Sequence, residues 1–397
     1  MNTDNIPFNL EQIRKEMPHY GDKIFFNSAG SSIMPTSVVQ RIHAYLREEE
    51  EFGGYQVTYL RKTDLEQLYT EAAQLLNCHP RNISFAHDAT DAYTKALSSI
   101  HFLKGDVIIT TDNDYASNHI HFLSLKKRYG IEIVRANSLE NGDLDLEDFA
   151  QKVEQYGPKL VSVTHVPTNS GLIQDVGKVG EICATKGIIY IVDACQSVGQ
   201  LVVDVKQIQC DFLSATGRKF LRGPRGTGFL YVSDRMLDAG YTPMVLDGQG
   251  AFWKEETLIE PQPTARRFET FEAPFAMVAG LIEALCYVNK MGVGNIQSYN
   301  AQLMALLKNQ LKSIKGVELY DLGTKQCNIL TFRKGGRSLE ETQKILDSHN
   351  IFYSVSEKHW GLIDFNKKGI EWAIRLSPHY FNTKEEVERV VEIVESF

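Results

Sequence analysis

Ser214-Ala-Thr-Gly-Arg-Lys219-Phe-Leu-Arg-Gly-Pro-Arg-Gly-Thr-Gly-Phe-Leu-Tyr-Val232 sets one lysine between a small hydroxylic residue and a glycine-rich turn that leads into an apolar strand. The flanks predict two strands, Asp211 to Ser214 and Gly228 to Val232, and the Gly223-Pro-Arg-Gly226 turn between them lets backbone come close to a bound group. Only an unprotonated lysine amine is a nucleophile, and Arg218 beside Lys219, together with burial, depresses its pKa in that direction. Lys219 so placed can form a Schiff base. The Thr216 hydroxyl and the Arg218 guanidinium can hold a phosphate, and an aldehyde and a phosphate are the two handles of pyridoxal phosphate (PLP). The plainer alternative is a solvated lysine in a basic loop.

The second half of the constellation lies upstream, in Gly187-Ile-Ile-Tyr-Ile-Val-Asp193-Ala-Cys-Gln196-Ser-Val-Gly199. Ile188 to Val192 is an unbroken apolar run, which suits a strand buried on both faces of a parallel sheet, and such sheets bind ligands at the carboxyl ends of their strands. Asp193 stands at that end. Its carboxylate can pair with a protonated pyridine nitrogen, and Gln196 can reach the ring's phenolic oxygen. The plainer alternative is an Asp193 that caps the following helix. Strands near residues 83, 107, 131, 160, 188, 211 and 228, with helical stretches between most of them, predict a doubly wound α/β domain.

In order and spacing, Asp193, Gln196, Thr216-Gly-Arg-Lys219 and Gly-Pro-Arg-Gly-Thr-Gly resemble the core of the class V aminotransferase family, fold type I PLP enzymes that include the cysteine desulfurases. From about Lys23 onward most of the chain can be laid against that family. The resemblance implies a large PLP-binding domain with a mostly parallel seven-stranded sheet over 23–272, a linking helix and smaller α+β domain over 273–397, and a segment 1–22 packed on the smaller domain. It also implies that Ala89 and Thr90, at a helix start, hold the PLP phosphate, in keeping with the free N–H groups and positive dipole end found there. Thr90 reads equally as a plain N-cap. Tyr115 falls where the family stacks an aromatic on the ring, a place that is histidine in many cysteine desulfurases. Thr168 or Asn169, after the strand from Lys159, would meet the ring oxygen or the substrate, and the loop with Ala29 and Gly30 would lie over the substrate.

Arg375, in Ile-Arg375-Leu-Ser-Pro-His-Tyr-Phe, matches the family arginine that clamps the substrate α-carboxylate. An arginine inside an apolar strand needs a partner, and a bidentate carboxylate suits it; a buried structural ion pair is the plainer alternative. Arg266 to Glu272 resembles a segment that reaches the other subunit's phosphate site, usually through a Gly-Thr pair, but Phe271 and Glu272 stand at those places and Arg267 or Thr270 would have to substitute. The resemblance and the apolar helix from Ala273 to Met291 imply a homodimer with active sites near the interface.

With 43% hydrophobic and 23% charged residues, a chain of 397 residues has ample material for its own core. A net charge of −8 argues against nucleic acid as a partner, and no apolar run reaches the roughly 18 residues of a membrane helix. Met1 to Phe8 lacks a signal-peptide pattern, so a cytoplasmic protein with a small amino-acid substrate is expected. Cys78, Cys183, Cys195, Cys210, Cys286 and Cys327 contain no C-x-x-C pair and suggest neither disulfides nor a metal site. They read mostly as small buried apolar residues, with Cys327 the one to watch.

Residues and resemblance together point to a PLP enzyme acting at Cα of an amino acid, with Lys219 holding the cofactor and then serving as general base. Cysteine desulfurases carry a sulfur-accepting cysteine on a loop before the arginine strand, and Ser354 to Trp372 has none. Carbon–sulfur β-elimination from a cysteine derivative is therefore the expected reaction, as in the branch of the ergothioneine-type C–S lyases and isopenicillin N epimerase-like proteins. Amino-acid epimerisation and transamination are the alternatives on the same fold. A non-catalytic PLP-fold binding protein is the alternative of another kind, and its mark would be loss of Lys219 or Asp193.

Overall fold

The computed structural model describes residues 8–397, so the amino-terminal stretch Met1 to Pro7 lies outside the described residues. A short helix, Leu10–Lys15, is capped by the Asn9 side chain, which accepts from Gln12 N–H, and β1 (Ile24–Phe25) follows. The main sheet is built from β2 (Ile83–Ala86), β3 (Val107–Thr111), β4 (Glu132–Ala136), β5 (Leu160–Thr164), β6 (Ile189–Asp193), β7 (Phe212–Thr216) and β8 (Gly228–Val232). Its order is β2-β8-β7-β6-β5-β3-β4. Each of the seven apolar runs marked in the sequence supplies one strand of this sheet. Every residue of β3, β5, β6, β7 and β8 is buried, which is why these strands read as continuous apolar runs rather than alternating ones. The edge strand β4 is mostly open to solvent and mixes charged with apolar residues.

Strands β3 to β7, linked through helices, pair parallel because a parallel connection has to cross over the sheet. Only the glycine-rich turn from Gly217 to Thr227 joins β7 to β8. It contains no crossover helix, and the two strands pair antiparallel. The parallel strands therefore end along one edge, where Thr164 pairs with Asp193 and Asp193 with Ser214 in register. Lys219 enters at that edge from the turn after β7.

Strands β9 (Ala251–Glu255) and β10 (Leu258–Pro261) form an exposed hairpin that the sequence pattern does not announce. The helix Phe275–Met291, expected from Ala273 onward, buries a broad apolar face and packs along the helix Thr36–Phe52. No single helix among the described residues is long and apolar enough to cross a membrane. The carboxyl-terminal part contributes β11 (Val317–Leu319), β12 (Leu330–Lys334), β13 (Ile351–Phe352), β14 (Ser354–Glu357) and β15 (Trp372–Leu376). Four of these make an antiparallel sheet in the order β11-β12-β15-β14.

The stretch from Lys23, where the large domain was expected to begin, forms the short strand β1, which pairs parallel with β13, and Asn27 bridges to Ser377. Upstream of it, Arg14 pairs with Glu386 at 2.7 Å. The chain is thus tied to its carboxyl-terminal part as far as Asn27. A strand of two residues is too short for its own pattern to specify a partner more than three hundred positions away.

Candidate active site

Lys219 and Asp193 line one cavity of about 240 Å³ at the carboxyl edge of the sheet. The turn that carries the lysine rests on Gly199, whose φ is +93° and whose added Cβ would lie 2.5 Å from the Phe220 carbonyl carbon. Only glycine lets the Lys219-Phe220 backbone come down this far. The turn is closed by Arg222 N–H donating to the Lys219 carbonyl (2.9 Å) and Gly223 N–H to the Gly217 carbonyl (2.8 Å). Burial pushes the Lys219 ammonium below the ordinary lysine range; Arg218 and Arg375 add to this, while Cys195 and Asp193 oppose it. The sequence named Arg218 as a cause, and burial is the larger one.

Asp193 is buried and reaches in two directions. One carboxylate oxygen accepts from Cys195 N–H (2.9 Å), the local contact that a capping role would make, and the other accepts from Asn118 Nδ2 (3.1 Å). Burial pushes its carboxyl up, held back by the Cys195 N–H, Lys219 and Asn118. Thr164 Oγ accepts from Tyr115 N–H (3.2 Å), and its backbone N–H donates to Asp114 (2.6 Å). Asp114 is a second buried carboxyl, pushed up to about 7 by burial. Nothing in the sequence reading marked Asn118, Thr164 or Asp114. A signal was available for Asn118, which stands one helical turn after Tyr115 and so shares its face.

Of the remaining expected site residues, Ala89, Thr90, Tyr115, Thr168, Gln196, Thr216 and Arg218 line the same cavity. The helix Ala89–Ser98 does begin where a phosphate was expected, but Asp88 caps it, accepting from Thr90 and Asp91 N–H. Gln196 donates to the Ala29 carbonyl (3.2 Å), while its Oε1 is buried without a partner. Arg218, expected at the phosphate, lines the cavity and donates to the Gly30 carbonyl, a contact that ties down the Ala29-Gly30 loop. Asn169 does not line the cavity: its amide donates to Asp364 at 2.6 Å, a partner far off in sequence. Thr168, not Asn169, is the cavity residue of that pair.

Arg375 lies behind Thr168. Its guanidinium donates to the Thr168 carbonyl (2.8 Å) and to Ser354 Oγ (3.1 Å), and its Nε is buried without a partner. Among the described residues no carboxylate pairs with it, so the structural ion pair weighed from the sequence is not formed. Burial, with Arg218 nearby, pushes this arginine down to about 10. A buried cation with unspent donors is a receptor for an anion. Cys195 and Arg225 are among the further cavity-lining residues that were not expected in it.

A family model described as aminotransferase class-V matches residues 24–390. The probable cysteine desulfurase of Pyrococcus abyssi is 29% identical over 398 residues, covering 97% of this chain and 96% of that protein. The apo structure of a cysteine desulfurase from Thermococcus onnurineus superposes with a TM-score of 0.90 at 26% identity, covering 100% of this chain and 99% of that one. The cystine C–S lyase C-DES, solved with its reaction product cysteine persulfide, shares the fold with a TM-score of 0.84 at 21% identity, over 96% of this chain and 99% of its own. A lysine-to-alanine variant of C-DES has been solved with glycine covalently linked to the PLP cofactor.

Proposed function

The chain belongs to the class V aminotransferase family, and from that membership we propose a lyase that breaks the Cβ–S bond of a cysteine derivative without a catalytic cysteine. Its cofactor is pyridoxal phosphate. The residues fit that group: Lys219 offers a buried amine of lowered pKa for the aldehyde, and Asp193 a buried carboxylate for the ring nitrogen. The orphaned Gln196 Oε1 is a buried acceptor on a residue lining the cavity, in keeping with an amide that would meet a donor of the bound group. When bound, PLP supplies an electron sink for charge developing at Cα. Lys219 Nζ takes the Cα proton, Asp193 holds the proton on the ring nitrogen, and Arg375 grips the α-carboxylate.

Elimination rather than desulfuration rests on one observation, the segment between Ser354 and Trp372. It folds as β14, a short turn and the helix Leu362–Lys368, and carries no cysteine. Asp364 anchors it to Asn169, and Lys367 pairs with Asp112. Cys327 lies in a small apolar cluster with Ala29, Val166 and Phe220 and does not line the cavity. Cys195 does line it, but burial pushes its thiol up, and a neutral thiol is a poor sulfur acceptor.

Turnover of cystine or another cysteine S-conjugate is expected to yield pyruvate and ammonium in equal amounts. The conjugate R–S–CH2–CH(NH3+)–COO− plus water gives RSH, pyruvate and ammonium. Alanine as the organic product, or abolition of sulfur release by Cys195→Ser with cofactor retained, would mean that sulfur passes to an enzyme thiol, and the elimination reading would fail.

We infer further that the enzyme is a symmetric dimer. Tyr55, Tyr59 and Phe271 are 77%, 76% and 57% exposed and line a second cavity of about 510 Å³, an apolar surface that a second copy would cover. Light scattering of the active holoenzyme should give about twice the 44.9 kDa of one chain. A single-chain mass would refute it.

A further inference from the structure

Building on the PLP reading above, we propose that Arg225 supplies the cation that binds the cofactor's phosphate. A phosphate ester carries about −1.5 to −2 charges at neutral pH and calls for charged or numerous donors. The helix start at Ala89 falls short of that. Asp88 Oδ1 already accepts from Thr90 N–H (2.7 Å) and Asp91 N–H (2.9 Å), so two of the amides that would greet an anion are engaged. The group engaging them is itself an acidic residue lining the cavity. What remains at the helix start is neutral: the Ala89 N–H and the Thr90 hydroxyl.

Of the other cations at the site, Arg218 spends a donor on the Gly30 carbonyl and Arg375 two on the Thr168 carbonyl and Ser354, while Lys219 is the group that meets the aldehyde. Arg225 lines the same cavity and has no hydrogen bond or ion pair among the described residues. Backbone packing puts it at the phosphate end. Gly228 pairs with Thr216 across β7 and β8, and a Cβ on it would lie 3.0 Å from the Asp88 carbonyl carbon. The turn from Pro224 to Thr227 immediately before Gly228 therefore adjoins both the Asp88–Thr90 helix start and Thr216. Arg225 and Gly226 are its exposed residues, and Gly226, at φ +77°, makes the reversal.

The test separates the phosphate from the rest of the cofactor. Full-length protein stripped with hydroxylamine is titrated with PLP and, separately, with pyridoxal, which lacks the phosphate, following the cofactor's absorbance band. Arg225→Gln is expected to weaken PLP about tenfold, in line with one charge-assisted hydrogen bond, and to leave pyridoxal binding unchanged. Arg225→Lys should fall between wild type and Arg225→Gln. Equal weakening of both ligands would make Arg225 a mere support of its loop, and undiminished PLP binding would leave the phosphate to neutral donors; either result overturns the proposal. Failure of the unaltered protein to bind PLP would instead overturn the cofactor reading on which it rests.

Discussion

Replacing Lys219 with alanine is expected to lower turnover by about four orders of magnitude, the upper end of what a positioned acid–base group contributes. Two functions are lost together: the covalent hold on the cofactor and the base that takes the Cα proton. Both depend on an amine that burial has made easier to deprotonate. Arginine at the same place would restore charge and bulk but neither function, so Lys219→Arg should be as inactive as Lys219→Ala. The direct check is borohydride reduction of the holoenzyme followed by peptide mapping. The cofactor should be fixed to Lys219 and to no other lysine in the unaltered protein, and an adduct elsewhere would sink the assignment.

The legible parts of this site share a physical cause. A strand buried on both faces has no alternation to blur it, so β6 and β7 stand out, and the polar side chain at the end of β6, Asp193, stands out with them. Lys219 is legible because glycines bracket it. Residues whose role is set by a distant partner are not. Asn169 gives no local sign of Asp364, which lies 195 positions away, and β1 gives none of β13. Cys195 was taken for packing because it stands past the end of β6, where the pleat no longer tells which side chain faces inward. Arg225 was passed over because the glycines around it already explained the turn.

The second large effect is expected at Arg375, which sits in β15 between β12 and β14, in register with Thr331 and Ser354. A guanidinium at this depth, 5% exposed, is stable without a carboxylate because the Thr168 carbonyl and Ser354 Oγ accept two of its donors. The donors left over suit the two oxygens of an α-carboxylate. Arg375→Lys would keep the charge and lose the fork. A charge-assisted hydrogen bond contributes about 1.5–3 kcal/mol, so kcat/KM should fall about tenfold to a hundredfold while the cofactor's absorbance spectrum stays as it was. Arg375→Ala should cost more, since it also removes the charge that draws the substrate in. The loss should track the carboxylate: an amino-acid amide is expected to be a poor substrate of the unaltered enzyme and to be turned over almost equally by both. If Arg375→Lys instead bound cofactor more weakly or melted lower while its folded, cofactor-saturated form kept an unchanged kcat/KM, the arginine would be holding the Thr168 loop to β14, and the carboxylate would have to be bound elsewhere.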